Sequence, residues 1–333
     1  MSSTQVVTSV DDLSQVGHAR RLAAALGQGE AWDPSLSGRI AVAVTEAAKN
    51  LFLHARGGEI LLRALSTAEG CGLEMLAVDR GPGMDVDVCL RDGYSTLRSP
   101  GIGLGVIRRS ADEFDIHTVR GTGTIMRCLI CKPRPALPAM ELGVVCLPMP
   151  GEQESGDSWA WRAVPGDVSV MVVDGLGHGL FAAEAAAAAV AATVPAWGNP
   201  ADVMQRIHAA LHRVRGAAVG VARIANGEVR FCGVGNVSAT VVHRNSQRNG
   251  LASNYGVAGE GMPRIQEFRT PWTTGARLVL FSDGLANPWR GETEPGLLAA
   301  HPGVLAGAFY RDFSRRRDDV TVLALAERAG APA

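Results

Sequence analysis

Residues 132–140, Lys-Pro-Arg-Pro-Ala-Leu-Pro-Ala-Met, hold three prolines in nine positions. Proline has no backbone N–H and a fixed φ, so neither a helix interior nor a central strand can pass through such a segment. A chain of 333 residues, at roughly 100–200 residues per domain, is therefore expected to divide there. We read residues 1–131 as one domain, 132–140 as a linker and 141–328 as a second domain. The halves share no repeat and carry different motifs.

Hydrophobic residues make up 47% and charged residues 20% of the chain, enough apolar surface to build a core and too much for disorder. Aromatics are only 5%, so that core is built from Ala, Val, Leu and Ile. A formal net charge of −1 speaks against a general nucleic-acid binder. The start, MSSTQVVTSVDD, has neither a basic nor an apolar leader segment. The longest apolar run, Ala185 to Trp197, is shorter than the ~20 residues of a membrane span. A soluble cytoplasmic protein without membrane contact is expected. Six cysteines are scattered, with no disulfide framework. Cys128 and Cys131 lack further ligands at metal spacing and read as buried strand residues.

In the first half, apolar spacing predicts a strand at 5–8 and helices over 11–26 and 34–55. Strands follow at 59–65 and 73–79, a helix at 104–111, and strands at 113–119 and 124–131. In the second half strands are predicted at 142–147, 158–164, 168–174, 217–224, 228–233, 237–243, 277–282 and 319–326. Helices at 180–194 and 200–214 lie between them. The fold class is a two-domain α/β chain whose second half is α+β.

Three elements of the first half point to a nucleotide. Glu46 and Asn50 are four residues apart and share one helix face. Oxygen ligands of this kind suit Mg²⁺ bridging phosphates, although the pair alone reads first as a solvated Glu–Asn pair on a surface helix. Asp79 ends an apolar strand and is followed by Gly81 and Gly83, where backbone can approach a ligand closely. Gly101, Gly103 and Gly105 lead into a helix, whose N-terminal amides suit phosphate. Gly121-Thr122-Gly123-Thr124 is a fourth, weaker element.

In the second half, aspartates sit at strand ends, most beside glycines: Asp157, Asp174-Gly175 and Asp283-Gly284, with Asp318-Asp319 opening the final strand. Each alone is a turn signal. Together they deliver carboxylates to one sheet edge, an all-oxygen cage for hard divalent ions. Two such ions about 3.5–4 Å apart activate a water and clamp a phosphoryl group. His178, in Gly-Leu-Gly-His-Gly, reads as a loop residue near that edge. His208 and His212, four apart without a third ligand, read as a solvated helix face.

The four elements of residues 5–131 resemble the ATP-binding domain of the GHKL group of histidine kinases, gyrase and MutL. They are most similar to the serine kinases of partner-switching systems; Asp92-Gly-Tyr-Ser-Thr96 and 111–116 resemble the stressosome switch kinase. The resemblance implies a GHKL-like α/β sandwich binding ATP with Mg²⁺. It implies Asn50 as the Mg²⁺ ligand, Glu46 as the base and Asp79 as the adenine reader. Gly81, Gly83, Gly101, Gly103 and Gly105 would be nucleotide-loop residues, with Thr124 near the adenine. Residues 141–327, with Gly233-Val-Gly235-Asn236 and Ile265-Gln-Glu-Phe268, resemble the metal-dependent serine/threonine phosphatases of the SpoIIE type. This implies an α-β-β-α sandwich with two Mn²⁺ or Mg²⁺ ions. It implies Asp157, Asp174, Asp283 and Asp318 as ligands beside the Gly175 carbonyl, Asp174 and Asp283 being the catalytic pair. Asp319 takes the position next to the last ligand. The implied substrate is phosphoserine or phosphothreonine on an STAS-domain anti-sigma antagonist or stressosome scaffold. The first half would phosphorylate the same class of protein, gate the phosphatase, or act only as a sequestering anti-sigma-like module.

Overall fold

The computed structural model describes residues 5–30, 32–67, 70–90, 103–133, 139–261, 264–290 and 293–328. Among the described residues the chain is mixed α/β, with three five-stranded sheets. The chain separates into two compact units.

The first unit holds residues 3–137 together with 292–311. Its strands are β1 (Gln5–Ser9), β2 (Glu59–Thr67), β3 (Gly70–Val78), β4 (Glu113–Val119) and β5 (Gly123–Lys132). They form one antiparallel sheet in the order β1-β2-β3-β5-β4. The helices are α1 (Leu13–Glu30), α2 (Pro34–Asn50), the short α3 (Val86–Cys89) and α4 (Gly103–Ser110). Asp33 caps α2 by accepting from Leu36 N at 2.8 Å, with Pro34 in the first turn, where its missing donor costs nothing. Ala43, Val44, Ala47 and Ala48 of α2 bury against Ile60, Leu62, Met75, Ala77 and Cys128. The alternate residues Leu61, Arg63, Glu74, Leu76, Val78, Ile125 and Arg127 lie on the other sheet face, also buried, as the strand period of two requires. Cys128 and Cys131 are buried free thiols, both pushed up to about 12 by burial first of all.

The second unit holds residues 138–291 and 312–333. Its first sheet runs β13-β10-β9-β8-β7 and its second β12-β11-β14-β15-β6. The strands are β6 (Met140–Leu147), β7 (Asp157–Val164), β8 (Asp167–Gly175), β9 (Ala217–Ala225) and β10 (Glu228–Val234). They continue with β11 (Ser238–Val242), β12 (Arg248–Leu251), β13 (Glu267–Pro271), β14 (Arg277–Phe281) and β15 (Val320–Glu327). Val170, Val172, Ala222 and Phe231 of one sheet meet Val144, Val241, Leu278, Leu280 and Leu323 of the other in one core. Met171, Val173, Val219 and Val221 point the opposite way, onto α5 (Leu180–Thr193) and α6 (Pro200–Leu211). Small Ala182, Ala185, Ala186 and Ala189 form the buried face of α5.

The sequence pattern placed no helix beyond residue 214, yet α7 (Pro302–Phe313) forms there. Gly303 and Gly307, which read as breakers, are four apart and share one face. A Cβ on Gly303 would meet the Arg127 side chain at 2.8 Å, and one on Gly307 would meet Ile125 at 2.9 Å. The glycines thus let this helix lie close on the second face of the first unit's sheet. His301 N donates to Asp115 Oδ2 at 2.6 Å, and His117 Nε2 lies 3.0 Å from Glu294 Oε2. The division drawn at the prolines therefore differs from the contacts in one respect: 292–311 packs with the first unit. Residues 134–138 of the linker lie outside the described residues.

A fragment ending at residue 137 lacks this cover over Leu76, Val78 and Ile125. We expect it to lose on the order of 3 kcal/mol or more against the same fragment supplied with a 293–313 peptide. Thermal unfolding with and without the peptide reads the difference; equal stability would show the cover to be dispensable.

Candidate nucleotide site and candidate metal centre

In the first unit the register of β3 and β5 brings Asp79 beside Thr124. Asp79 Oδ1 accepts from Gly81 N at 2.8 Å and Thr124 N at 3.1 Å. These two amides fix the plane of a buried carboxylate. Burial raises its pKa against both hydrogen bonds and the Arg311 charge. Thr124 Oγ1 lies 3.1 Å from Thr118 Oγ1, which accepts from Met84 N at 3.1 Å. Gly81 has Ala55 and Asp79 so close that a Cβ would sit 2.7 Å from Ala55 Cα, and Gly83 takes φ +71 against the Val119 carbonyl. From the other side, Gly103 opens α4 within van der Waals reach of the helix pair: a Cβ there would be 3.3 Å from both Asn50 Oδ1 and Glu46 Oε2. Gly105 is buried in the first turn of α4. Lys49 donates to Glu46 Oε1 at 2.8 Å. Glu46, Asn50 and Gly103 thus form one group, and Asp79, Gly81 and Thr124 another, in the same unit. Gly101 and the 92–96 motif lie outside the described residues. An open depression of about 570 Å³ lies against Leu53, His54, Arg56, Arg80, Gly81 and Pro82; of the described residues assigned to the nucleotide, Gly81 alone lines it.

In the second unit the acidic residues gather at one end of the sheet sandwich. Asp157 and Asp174 are direct register partners on β7 and β8, a placement that like charges disfavour. Ser282, just past β14, donates through Oγ to Asp157 Oδ2 at 2.6 Å and accepts from Thr321 N at 2.9 Å. One hydroxyl therefore ties the two sheets together at the site. Asp283 Oδ2 accepts from Asn236 Nδ2 at 3.2 Å. Gly175 N donates to the Gly156 carbonyl at 2.9 Å, and a Cβ on Gly175 would strike the Ala182 carbonyl at 2.2 Å. Only glycine lets α5 start this close to the Asp174 turn.

The electrostatics are those of crowded carboxylates. Burial, then the charges of Asp283, Asp318 and Asp319, push Asp174 up to about 7. Burial and then Asp174 drive Asp157 well above the carboxylate range. Burial and then Asp318 raise Asp283, while Asn236 and Arg315 oppose them. Crowded carboxylates of this kind are chemically suited to a divalent cation, which favours the charged form of each, but among the described residues no three Asp, Glu, His or Cys side chains stand close enough together to form a ready metal cage. Asp319 differs in role. Its Oδ1 accepts from Met149 N at 2.8 Å and its Oδ2 from Gly156 N at 2.9 Å, so both oxygens hold backbone in place.

Sequence reasoning assigned no role to Ser282, which directly precedes Asp283, or to Asn236, although Asn236 closes the quoted Gly233-Val-Gly235-Asn236 motif. His178 Nδ1 lies 2.9 Å from Glu152 Oε1 in the loop after Asp174. The solvated reading of His208 does not hold: its ring is buried, its Nδ1 accepts from Gly259 N at 3.0 Å, and His212 Nδ1 lies 3.0 Å from the Gly259 carbonyl.

A GHKL-like helix-on-sheet unit joined to a two-sheet phosphatase sandwich is the class these arrangements define. The comparisons agree. Residues 10–128 match the histidine kinase-like ATPase domain family, and residues 165–327 match the stage II sporulation protein E (SpoIIE) family. The serine/threonine-protein kinase RsbT of Bacillus subtilis (strain 168) is 33% identical over 129 residues, which are 38% of this chain and 94% of RsbT. The chain therefore belongs, through its first half, to the RsbT family of GHKL-type serine/threonine kinases, and its second half is a SpoIIE-type protein phosphatase domain. Among solved structures, a chain from a bacterial stressosome system adapted to control secondary messenger signalling aligns at TM-score 0.51 and 25% identity, over 56% of this chain and 98% of that one. RsbX in complex with magnesium aligns at TM-score 0.50 and 20% identity, over 58% and 98%, a likeness of fold.

The raised carboxyls set a pH dependence. Asp174 has an ordinary value of 3.8 and about 7 in the fold. Between these values the folded state holds a proton that the unfolded chain has released, so stability falls as pH rises through that window. In chelator, the full chain should be more stable near pH 5 than near pH 7.5, by on the order of 3 kcal/mol. Asp174→Asn should flatten that slope, and added Mn²⁺ should restore stability at pH 7.5. Denaturant unfolding across pH checks this; a chelated protein most stable at pH 7.5 would contradict the crowding.

Proposed function

We propose that this chain is a partner-switching regulator whose second unit removes phosphate from serine or threonine of an STAS-domain protein in the cytoplasm. The convergence of Asp157, Asp174 and Asp283 at one end of the sandwich, with Asp318 beside them, carries this reading. Asp157, Asp174, Asp283, Asp318 and the Gly175 carbonyl would hold two Mn²⁺ or Mg²⁺ ions. Bound there, the ions supply an activated water and a clamp for the phosphoryl oxygens. The chain's own part is positional. Ser282 orients Asp157, Asn236 orients Asp283, and Asp319 latches the Met149 and Gly156 amides beside them. The magnesium complex of RsbX, of similar fold, supports a divalent ion in such a site.

In the first unit, ATP with Mg²⁺ would bind between the Glu46–Asn50 face of α2 and the turn after Asp79. Asp79 Oδ1 is taken by two amides, which leaves Oδ2 to accept from the adenine amine. Asn50 would ligand Mg²⁺, Glu46 would take the hydroxyl proton of the acceptor serine, and Gly81, Gly83, Gly101, Gly103 and Gly105 would admit the phosphates. The kinase RsbT and the stressosome structure support an STAS-domain partner. A second reading, nucleotide binding without transfer that sequesters the partner or gates the phosphatase, is favoured by Lys49, whose ammonium occupies Glu46 Oε1. Turnover of ATP with and without an STAS partner separates the two.

Asp174→Asn and Asp283→Asn should each lower Mn²⁺-dependent hydrolysis of a phosphoserine STAS protein by at least ~100-fold, with circular dichroism unchanged. Near wild-type rates at saturating and limiting Mn²⁺ would make these aspartates turn residues.

Asp79→Asn should weaken ATP at least ~10-fold in calorimetry. Its Oδ1 can keep the two amide bonds, but its amide then meets the adenine amine donor to donor. Unaltered affinity would remove Asp79 from the adenine.

A further inference from the structure

Three consecutive arginines, Arg315, Arg316 and Arg317, stand directly ahead of Asp318. All three are exposed, beside the most acidic place in the second unit. Their backbone is tied to the turn that carries Asp283. Arg315 N donates to the Gly284 carbonyl at 2.9 Å, Ala286 N donates to the Phe313 carbonyl at 2.8 Å, and Leu285 bridges Ser314. Arg316 takes φ +56, a left-handed conformation that glycine adopts freely and arginine adopts with strain. Backbone strain kept at a non-glycine position beside a candidate site points to a use for the residues there.

Charge arithmetic says what the use is. The carboxylates that crowd this end are Asp157, Asp174, Asp283, Asp318 and Asp319. Fully ionised they carry five negative charges, and two divalent ions return four. A phosphoserine side chain arrives with a further charge of about −1.5 to −2. These five carboxylates with two divalent ions would leave one negative charge, and a cation outside the carboxylate set would favour the approach of the phosphate. Arg215, which lies near Gly177 in the loop after Asp174, stacks its guanidinium over the Phe181 ring at 5.0 Å.

We propose that Arg315, with Arg317 beside it, binds the phosphoryl oxygens of the phosphorylated substrate and brings the phosphate to the Asp174–Asp283 edge. Guanidinium suits this because its planar donors match two phosphate oxygens at once. The inference rests on the phosphatase reading above. The arginines act on the substrate anion, not on the metals, and that separates this role from a structural one.

The test uses the full chain loaded with Mn²⁺. Arg315→Ala should raise KM for a phosphoserine STAS protein about 10-fold, with a much smaller fall in kcat, and Arg315→Ala/Arg317→Ala should raise it further. Calorimetric affinity for inorganic phosphate should fall by a similar factor, while Mn²⁺ affinity is retained or improved. Arg315→Lys should recover part of the KM. Phosphate affinity and KM within twofold of wild type in the double variant would overturn the proposal, as would a loss of Mn²⁺ binding that accounts for the whole effect. A wild-type chain that binds phosphate through Arg315 but hydrolyses no phosphoserine protein would defeat the phosphatase reading and leave this inference standing. Binding of phosphate that ignores both arginines would defeat the inference alone.

Discussion

The mutual repulsion of carboxylates at one end of the second unit's sandwich is the constraint around which that unit is arranged. Asp157 and Asp174 face each other across adjacent strands, and the charges of Asp283, Asp318 and Asp319 bear on Asp174. Such a cluster works against the fold, and a chain selected for stability alone would not keep it. The core behind it is correspondingly regular. Valine, leucine and alanine alternate faces along β8, β9, β14 and β15, so that each strand serves the inter-sheet core on one side. Ser282 then closes the site end by bonding Asp157 and the Thr321 amide together.

The first unit solves a different electrostatic problem. Arg63 and Glu74 are register partners on β2 and β3 and form a buried ion pair. Arg127 on β5 adds a bond from Nε to Glu74 at 2.7 Å and one from Nη1 to Glu113 at 2.9 Å. Burial pushes Glu74 up, but the two guanidiniums outweigh it and hold the carboxyl at about 2. Charges on a sheet face are tolerable when hydrogen-bonded and costly when one partner is missing. Residues 293–311 lie over this face, with Gly303 against Arg127. A segment distant in sequence is thus part of the first unit.

What the sequence revealed followed its periodicity. Strands of alternating apolar residues and helices with an apolar face were placed near their observed limits, because burial imposes those periods directly. The aspartates were legible because each stands at an apolar strand's end, all but the Asp318-Asp319 pair beside glycine. Helix α7 was not, because Gly303 and Gly307 weigh against a helix in a local reading, while the close packing they permit is a tertiary fact. Ser282 and Asn236 were missed for a related reason. Their partners, Asp157 and Asp283, are 125 and 47 residues away, and no spacing rule reaches that far. His208 failed in the opposite sense: helical spacing put it beside His212, but the Gly259 loop that buries it is remote in sequence.

The Asp318-Asp319 pair shows how two identical neighbours acquire different work. Adjacent residues entering an extended strand send their side chains to opposite sides. Asp319 turns toward the Met149 and Gly156 amides and spends both oxygens on them. Gly284 lies so close to the Asp319 carbonyl that a Cβ there would be 1.8 Å away, which holds the backbone of the pair against the Asp283 turn. Asp318 accepts from the Asp319 amide at 3.0 Å, and its charge raises both Asp174 and Asp283. The latch therefore fixes where the neighbouring carboxylate stands. The start of the final strand is thus set by backbone amides on Asp319, while among the described residues the neighbouring Asp318 accepts only from the Asp319 amide.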